Sequence, residues 1–149
     1  HIFQLGDKYT SALDVRYAGA DNKLHTPIMG CYGIGVSRVL QVMAEKQRNG
    51  NNLNFSEEAA AYTHVVVVVD IKKKEQVELA ESLYQELIYA GKNAILDDRK
   101  LKVGKKLHEA DLVGITNKIL VGRGAANGLY EAKQDGEWVE CSTVNEFVF

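Results

Sequence analysis

A glycine-rich segment that ends in an arginine has the residue types and spacing that could do chemistry. Residues 30–38 read GCYGIGVSR, so Gly33, Gly35 and Arg38 stand in the order Gly-x-Gly-x-x-Arg. Glycines let a ligand approach the backbone closely, and a guanidinium group is a permanently charged fork that matches phosphate oxygens. The segment therefore predicts contact with a phosphate-bearing ligand, with Arg38 as the cation.

The same spacing excludes two common phosphate-binding motifs. The dinucleotide-binding fingerprint has glycine where Arg38 stands, and a Walker loop needs a hydroxyl residue where Lys106 follows Gly104-Lys105. From spacing alone, a surface arginine and a glycine-shaped turn remain alternatives. However, a helix N-terminus favours anions, so an arginine there indicates an external anion as its partner.

A basic stretch is the second candidate for function. Residues 99–106 read RKLKVGKK, in which five of eight positions are cationic. Such side chains could hold RNA phosphates and make binding sensitive to salt. On charge alone, a solvated loop that keeps the domain soluble is an equally good interpretation. The run Lys72 to Lys74 is more typical of a polar helix entry.

Composition limits the remaining classes. The chain has 149 residues, 46% of them hydrophobic and 26% charged, with a net charge of −2, so any RNA binding must come from a local patch. No apolar run is long enough for a membrane span and no signal peptide is evident, while the start at His1 suggests a piece of a longer protein. Cys31 and Cys141 do not make a disulfide framework, which favours a reduced, cytoplasmic setting. The four histidines are scattered, so no metal site is expected.

The elements that must position these segments fall into two parts. In residues 1–48, strands are predicted at 1–5, 15–17 and 27–32, a helical turn at 8–13 and a helix at 35–46. The breaker at 48–52 predicts a domain boundary, followed by a linker over 49–62. In residues 63–149, strands are predicted at 65–69, 93–96 and 118–121, helices at 74–90 and 105–113, a hairpin over 129–141 and a last helical turn at 144–149. This order is typical of an α/β domain with a mixed sheet.

Several of these segments together resemble a known family. Residues 30–38 resemble motif 3 of the class II aminoacyl-tRNA synthetases, most closely the bacterial-type prolyl-tRNA synthetases. Residues 1–6, HIFQLG, resemble the strand before motif 3. Asp97-Asp98-Arg99, then Gly104 and the stretch ADLVGI at 110–115, resemble the anticodon-binding domain of that family. The resemblance covers nearly the whole chain.

The resemblance implies a fold and an activity. It implies a C-terminal fragment: a partial antiparallel α+β segment of the class II catalytic core, then an anticodon-binding domain with a mixed, roughly five-stranded sheet flanked by helices. The parent would be a proline–tRNA ligase that activates proline with ATP and Mg²⁺ and transfers it to tRNA(Pro), as a cytoplasmic homodimer. The fragment alone, lacking motifs 1 and 2, is expected to be inactive. A stand-alone RNA-binding or accessory-subunit module is the alternative.

The resemblance also implies residue roles. Arg38 would be the catalytic contact to the ATP phosphates, with Gly33, Gly35 and Gln4 beside the nucleotide. His1 and Cys31 would line the amino-acid pocket. The anticodon would be bound by Asp98, Arg99, Lys102, Lys105 and Lys106. The sequence departs from the family where Thr116 and Val103 replace prolines, which loosens loops near the anticodon segment.

Overall fold

The computed structural model describes residues 1–134 and 136–142 and divides into two compact units, His1–Val42 and Met43–Phe149. The border between the units falls inside a helix, Val36–Lys46. The division into 1–48, 49–62 and 63–149 stays a prediction about domains of a parent protein. In the described part of the chain, no helix combines the length and apolar character that a membrane crossing needs.

The first unit is built on two antiparallel strands. β1 (Ile2–Gly6) pairs with β4 (Met29–Tyr32), and between them lie α1 (Lys8–Ala12) and the short hairpin of β2 (Tyr17–Ala18) with β3 (Leu24–His25). Thr10 is the only buried residue of this unit, and its hydroxyl donates to the carbonyl oxygen of Pro27 at 2.7 Å. The unit thus has almost no core of its own.

α2 (Val36–Lys46) has the apolar spacing predicted for it, but none of its residues is buried. Val36, Val39 and Leu40 stay exposed. The helix therefore has the expected apolar face, but that face is exposed to solvent.

The second unit contains a five-stranded mixed sheet, as predicted. After the small hairpin of β5 (Arg48–Asn49) and β6 (Asn52–Leu53), the elements are β7 (His64–Val68), α3 (Lys74–Tyr89), β8 (Ala94–Asp97), α4 (Val103–Leu112), β9 (Asn117–Val121), a 3-10 helix (Arg123–Asn127), β10 (Tyr130–Gln134) and β11 (Glu137–Cys141). The strand order is β11-β10-β9-β7-β8. β7 runs parallel to β8 and β9, whereas β10 is antiparallel to β9 and β11.

The valine run occupies the middle of this sheet because both of its faces are covered. Val66 and Val68 face a core that includes Leu83 and Leu87 of α3. Val65 and Val67 face a smaller core with residues of α4. Consecutive β-branched residues without alternation predicted such a strand, and the structure confirms it.

Some boundaries differ from the sequence predictions. α4 begins at Val103, two positions before the predicted start at Lys105. The hairpin of β5 and β6 forms at the segment 48–52, for which the sequence predicted only a break between domains. The 3-10 helix Arg123–Asn127 was not predicted. The helical turn predicted at 144–149 and the hairpin residue Asp135 lie outside the described residues.

Candidate functional site

The first candidate site lies at the open end of the β1–β4 pair. The backbone nitrogen of His1 donates to the carbonyl oxygen of Gly33 at 2.9 Å, and the N–H of Gly33 donates to the carbonyl oxygen of His1 at 3.0 Å. These bonds extend the ladder by one pair beyond Ile2 and Tyr32. They bring the first residue of the chain beside the glycine segment, which no local pattern in the sequence indicates.

Arg38 reaches this pair from the first turn of α2. Its Nη1 lies 2.8 Å from Nε2 of His1. Because a guanidinium group can only donate, the imidazole must accept at Nε2, and its proton belongs on Nδ1. Among residues 1–134 and 136–142, no carboxylate forms a salt bridge with Arg38, whose side chain is exposed. The arrangement leaves a cation available to an external anion.

Strand register determines which predicted residues share a face. Phe3 lies opposite Cys31, and the rings of His1 and Phe3 stack with centroids 5.9 Å apart. Since side chains alternate along a strand, His1, Phe3 and Cys31 lie on one face of the pair and Gln4 lies on the other. The structure brings His1, Cys31 and Arg38 to one end of the unit but does not bring Gln4 to the face of His1 and Cys31.

The two motif glycines are not required by the packing of the described chain. A Cβ at Gly33 would meet no atom within 4 Å, and one at Gly35 would touch the Arg38 side chain at an ordinary 3.5 Å. Neither glycine has a positive φ. The space above Gly33 is therefore free of described protein atoms and could hold a ligand.

The second candidate site lies where β8 ends and α4 begins. Arg99 makes a two-pronged contact with Asp97: its Nε lies 3.0 Å from Oδ1 and its Nη2 lies 2.7 Å from Oδ2. Its Nη1 lies 2.8 Å from Oε2 of Glu109 on α4. The Arg99 side chain still exposes 52% of its surface. Two carboxylates thus fix a guanidinium group that remains open to solvent.

Of the other predicted cations, Lys102 and Lys105 are exposed, as is Asp98. Lys105 also lies 3.8 Å from Oε1 of Glu109. These residues form a surface group with Arg99, which we call the basic patch: Asp98, Arg99, Lys102 and Lys105. Sequence reasoning overlooked Glu109, although its position four residues after Lys105 on a helix was a usable signal.

Lys106 is a correction to the prediction, because it does not lie on the basic patch. Only 1% of its side chain is exposed, and its Nζ donates to the carbonyl oxygens of Val68 at 2.8 Å and Asp97 at 3.1 Å. The helical period explains this: α4 turns Lys105 outward and the next residue toward the sheet. An RNA phosphate cannot reach this ammonium group in the structure.

The electrostatics follow from these contacts. Hydrogen bonding from Arg99 holds the pKa of Asp97 below its usual range despite partial burial. Asp97 and then Glu109 raise the pKa of Arg99. Burial lowers the pKa of Lys106, while the charge of Asp97 opposes that shift.

A cavity of about 390 Å³ adjoins Arg99. Its wall is mostly apolar, and Asp97, Arg99, Lys106 and Glu109 form its polar side. The apolar lining residues come from β7, β8 and the segment around the end of α4: Val65, Ile95, Leu96, Ala110, Val113 and Ile115. An apolar wall beside a fixed guanidinium plane suits a flat, polar-edged ring.

No group of three or more histidine, cysteine or acidic side chains within the described ranges is arranged to hold a metal ion. The structure therefore offers no cage for a divalent cation in the part of the chain it describes.

Comparison with known proteins places both sites in context. Residues 64–136 match a family described as "Anticodon binding domain". A proline–tRNA ligase of Synechococcus sp. (strain CC9902) is 43% identical over 131 residues, which is 88% of this chain and 22% of the relative. A proline–tRNA ligase of Listeria welshimeri is 40% identical over 142 residues, 94% of this chain and 25% of the relative. The chain thus spans about a quarter of the length of these relatives.

A solved structure supports the fold. The structure described as Giardia lamblia prolyl-tRNA synthetase in complex with prolyl-adenylate matches with a TM-score of 0.72 at 23% identity. The match covers 94% of this chain and 31% of that chain. At this identity the likeness concerns the fold.

Proposed function

We propose that the chain forms part of a proline–tRNA ligase, because residues 64–136 match the anticodon-binding domain family and most of the chain is similar to such ligases. The parent would activate proline with ATP and transfer it to tRNA(Pro). The observation that carries the proposal is the relationship at 40% identity across 94% of the chain.

In this proposal the first unit helps to bind ATP and proline. Arg38 contacts the phosphate chain, and Gly33 and Gly35 let the ligand approach the backbone. The open space above Gly33 and the exposed guanidinium group support these roles. His1 orients Arg38 through the 2.8 Å contact and, with Cys31, borders the amino-acid pocket. Gln4 would contact the nucleotide from the other face of the pair.

The chemistry assigned to Arg38 is charge stabilisation. In adenylate formation, a carboxylate oxygen of proline attacks the α-phosphorus of ATP, and the bond to the pyrophosphate oxygen breaks. Negative charge on the phosphate chain is offset by fixed cations such as a guanidinium group. Mg²⁺ is expected to accompany ATP and would supply further positive charge to offset that of the phosphate chain.

The second unit would bind the anticodon of tRNA(Pro) through the basic patch. Unpaired bases can be splayed out and read at their edges, while lysines and arginines hold the phosphates. Arg99, Lys102 and Lys105 supply exposed cations, and Asp98 supplies an acceptor for base amino groups. Their common position at the end of β8 and the start of α4 supports one continuous contact surface.

The anticodon role is tested with the 149-residue chain and a tRNA(Pro) transcript. Because each phosphate contact contributes about 0.7 to the slope of log affinity against log salt for unpaired RNA, K102Q and K105Q should each lower the slope by about that amount. K72Q, on the other basic run, is the matched control and should keep the wild-type slope. Unchanged slopes in both patch variants would refute the patch.

The catalytic role is tested by ATP–pyrophosphate exchange. The isolated chain should show no proline-dependent exchange. In a full-length ligase that contains this chain, Arg38→Ala should depress exchange by about 10²-fold or more and leave tRNA binding intact. Exchange by the isolated chain, or equal loss of exchange and tRNA binding, contradicts this division of roles.

A cytoplasmic homodimer is the further part of this proposal. The exposed apolar side chains of the first unit, such as Ile28 and Tyr32, support a dimer. Side chains of this kind are normally covered, either by other parts of a parent protein or by a second copy. Sedimentation of the full-length parent is the direct measurement, and a monomer at micromolar concentration would remove the dimer from the proposal.

A further inference from the structure

A line of alternating charges runs from the core of the second unit to its surface. It begins at the buried ammonium group of Lys106, which lies 3.9 Å from Oδ1 of Asp97. It continues through the two-pronged pair of Asp97 with Arg99, and then through Glu109 to the exposed Lys105. The charges alternate in sign along this line, so each group is held by an opposite neighbour.

Lys106 also fixes the place where the basic patch leaves the sheet. Val68 is the last residue of β7 and Asp97 is the last residue of β8. The ammonium group of Lys106 donates a hydrogen bond to the backbone carbonyl oxygen of each of them. Parallel strands end at one edge, where their last carbonyl groups lack ladder partners. One buried cation therefore joins two strand ends and holds the backbone of Asp97.

The position of Asp97 determines what Arg99 can offer. Of the five N–H groups of a guanidinium side chain, three are engaged: one at Nε, one at Nη2 and one at Nη1. One N–H on Nη1 and one on Nη2 remain, and the half-exposed side chain borders the cavity of about 390 Å³. A plane fixed in this way can hydrogen-bond to RNA and stack on a base at little cost in side-chain entropy.

We propose that Lys106 is a positioning residue for RNA recognition, which acts through Asp97 on Arg99 and makes no contact with RNA itself. The proposal rests on the anticodon role given above and adds a residue to it. Asp97 lies at the strand end that Lys106 holds, and its carboxylate binds Nε and Nη2 of Arg99. Glu109 binds Nη1 on the other side of the guanidinium group. A buried residue thereby determines how an exposed one meets its ligand.

The test uses the 149-residue chain, a tRNA(Pro) transcript and a transcript with a substituted anticodon. K106M keeps an unbranched side chain of similar length in the buried site but removes the ammonium group. Because contacting residues are energetically coupled, we expect about a tenfold rise in Kd for tRNA(Pro) and a loss of most of the preference between transcripts. The salt slope should stay at the wild-type value, because no phosphate contact is lost.

K105M is the matched control, since it removes the neighbouring charge from the surface of the same helix. It should lower the salt slope by about 0.7 while retaining the preference between transcripts. The Nε–Hε resonance of Arg99 gives a readout independent of RNA: a single sharp signal in the wild type and in K105M, and a broadened or shifted one in K106M. If K106M does not fold, D97N is the second variant, because Asp97 is the residue through which Lys106 acts on Arg99; it should show the same loss of preference and an unchanged slope.

The outcomes separate the two proposals. A lower salt slope in K106M, like that of K105M, would show direct phosphate contact and overturn the positioning role. Unchanged preference in K106M, or in D97N where K106M is unfolded, would overturn it as well. If the wild-type chain has no preference between the transcripts, the anticodon role itself fails, and the recognition role of Lys106 fails with it.

Discussion

Replacing His64 with valine should remove most of the pH dependence of folding between pH 7 and pH 5. His64 opens β7, and only 2% of its surface is exposed. Its Nδ1 lies 2.8 Å from the hydroxyl oxygen of Thr63, and that hydroxyl group lies 3.1 Å from the carbonyl oxygen of Asn93. The hydroxyl donates to the carbonyl, so Nδ1 of His64 carries the proton in this contact.

The magnitude follows from the pKa of His64. Burial, assisted by the charge of Lys92 and opposed by that of Glu57, lowers the pKa of His64 from 6.5 to about 4. At pH 5 the unfolded chain binds a proton at this residue and the folded chain does not, so stability falls as the pH falls from 6.5 toward 4. Linkage between these two pKa values gives a loss of about 2 kcal/mol between pH 7 and pH 5, as an upper limit.

The assay is urea unfolding at a series of pH values from 7.5 to 4.5, followed by the fluorescence of Trp138, the single tryptophan. His64→Val should give an unfolding free energy that varies less with pH than that of the wild type by about the same 2 kcal/mol. His108→Gln, which changes an exposed histidine of α4, is the control and should follow the wild type. Parallel pH profiles for wild type and His64→Val would refute the reasoning.

Four further substitutions test the packing of the second unit. Leu87→Ala should lower the unfolding free energy by about 3 kcal/mol, measured by urea unfolding, because the leucine is fully buried. Gly91→Ala should lower the unfolding free energy by about 1 kcal/mol, because Gly91 has a positive φ. Gly114→Ala should lower it by at least about 2 kcal/mol, because Gly114 also has a positive φ and its new Cβ would lie 2.7 Å from the Phe55 ring. Equal losses of Tm in the two variants would contradict this. Asp111→Asn should cost about 1–2 kcal/mol, because it removes the negative charge that lies 2.6 Å from the buried Lys118 ammonium group. A change in the unfolding free energy below about 0.3 kcal/mol would contradict this.

The sequence was most informative where one local pattern has one structural solution. The valine run had to be covered on both faces, and β7 is the central strand of the sheet. The apolar face of α3 and the glycine after it predicted the helix that the structure contains, and Gly91 has the positive φ that such an end requires. The order of strands and helices then predicted the α/β class.

Whether a charged side chain is exposed or buried could not be predicted from the sequence in the same way. Lys105 and Lys106 are adjacent and chemically identical, yet one is exposed and the other is 1% exposed. The difference depends on the start of α4 at Val103 and on two strand ends that need a donor, neither of which a local pattern specifies. For the same reason the pairing of Arg38 with His1, 37 positions apart, required the β1–β4 register.

The central position of β7 has a consequence for synthesis of the chain. On the ribosome, β7 emerges before either of its parallel neighbours, and it can pair with β8 once residue 97 is available. Its other edge has no partner until β9, which ends at Val121, has also emerged. During that interval an apolar strand edge is open to pairing with other nascent chains, a known route to aggregation. A translational pause between these two points would lengthen the exposure, and a chaperone that binds extended valine-rich segments would protect the chain there.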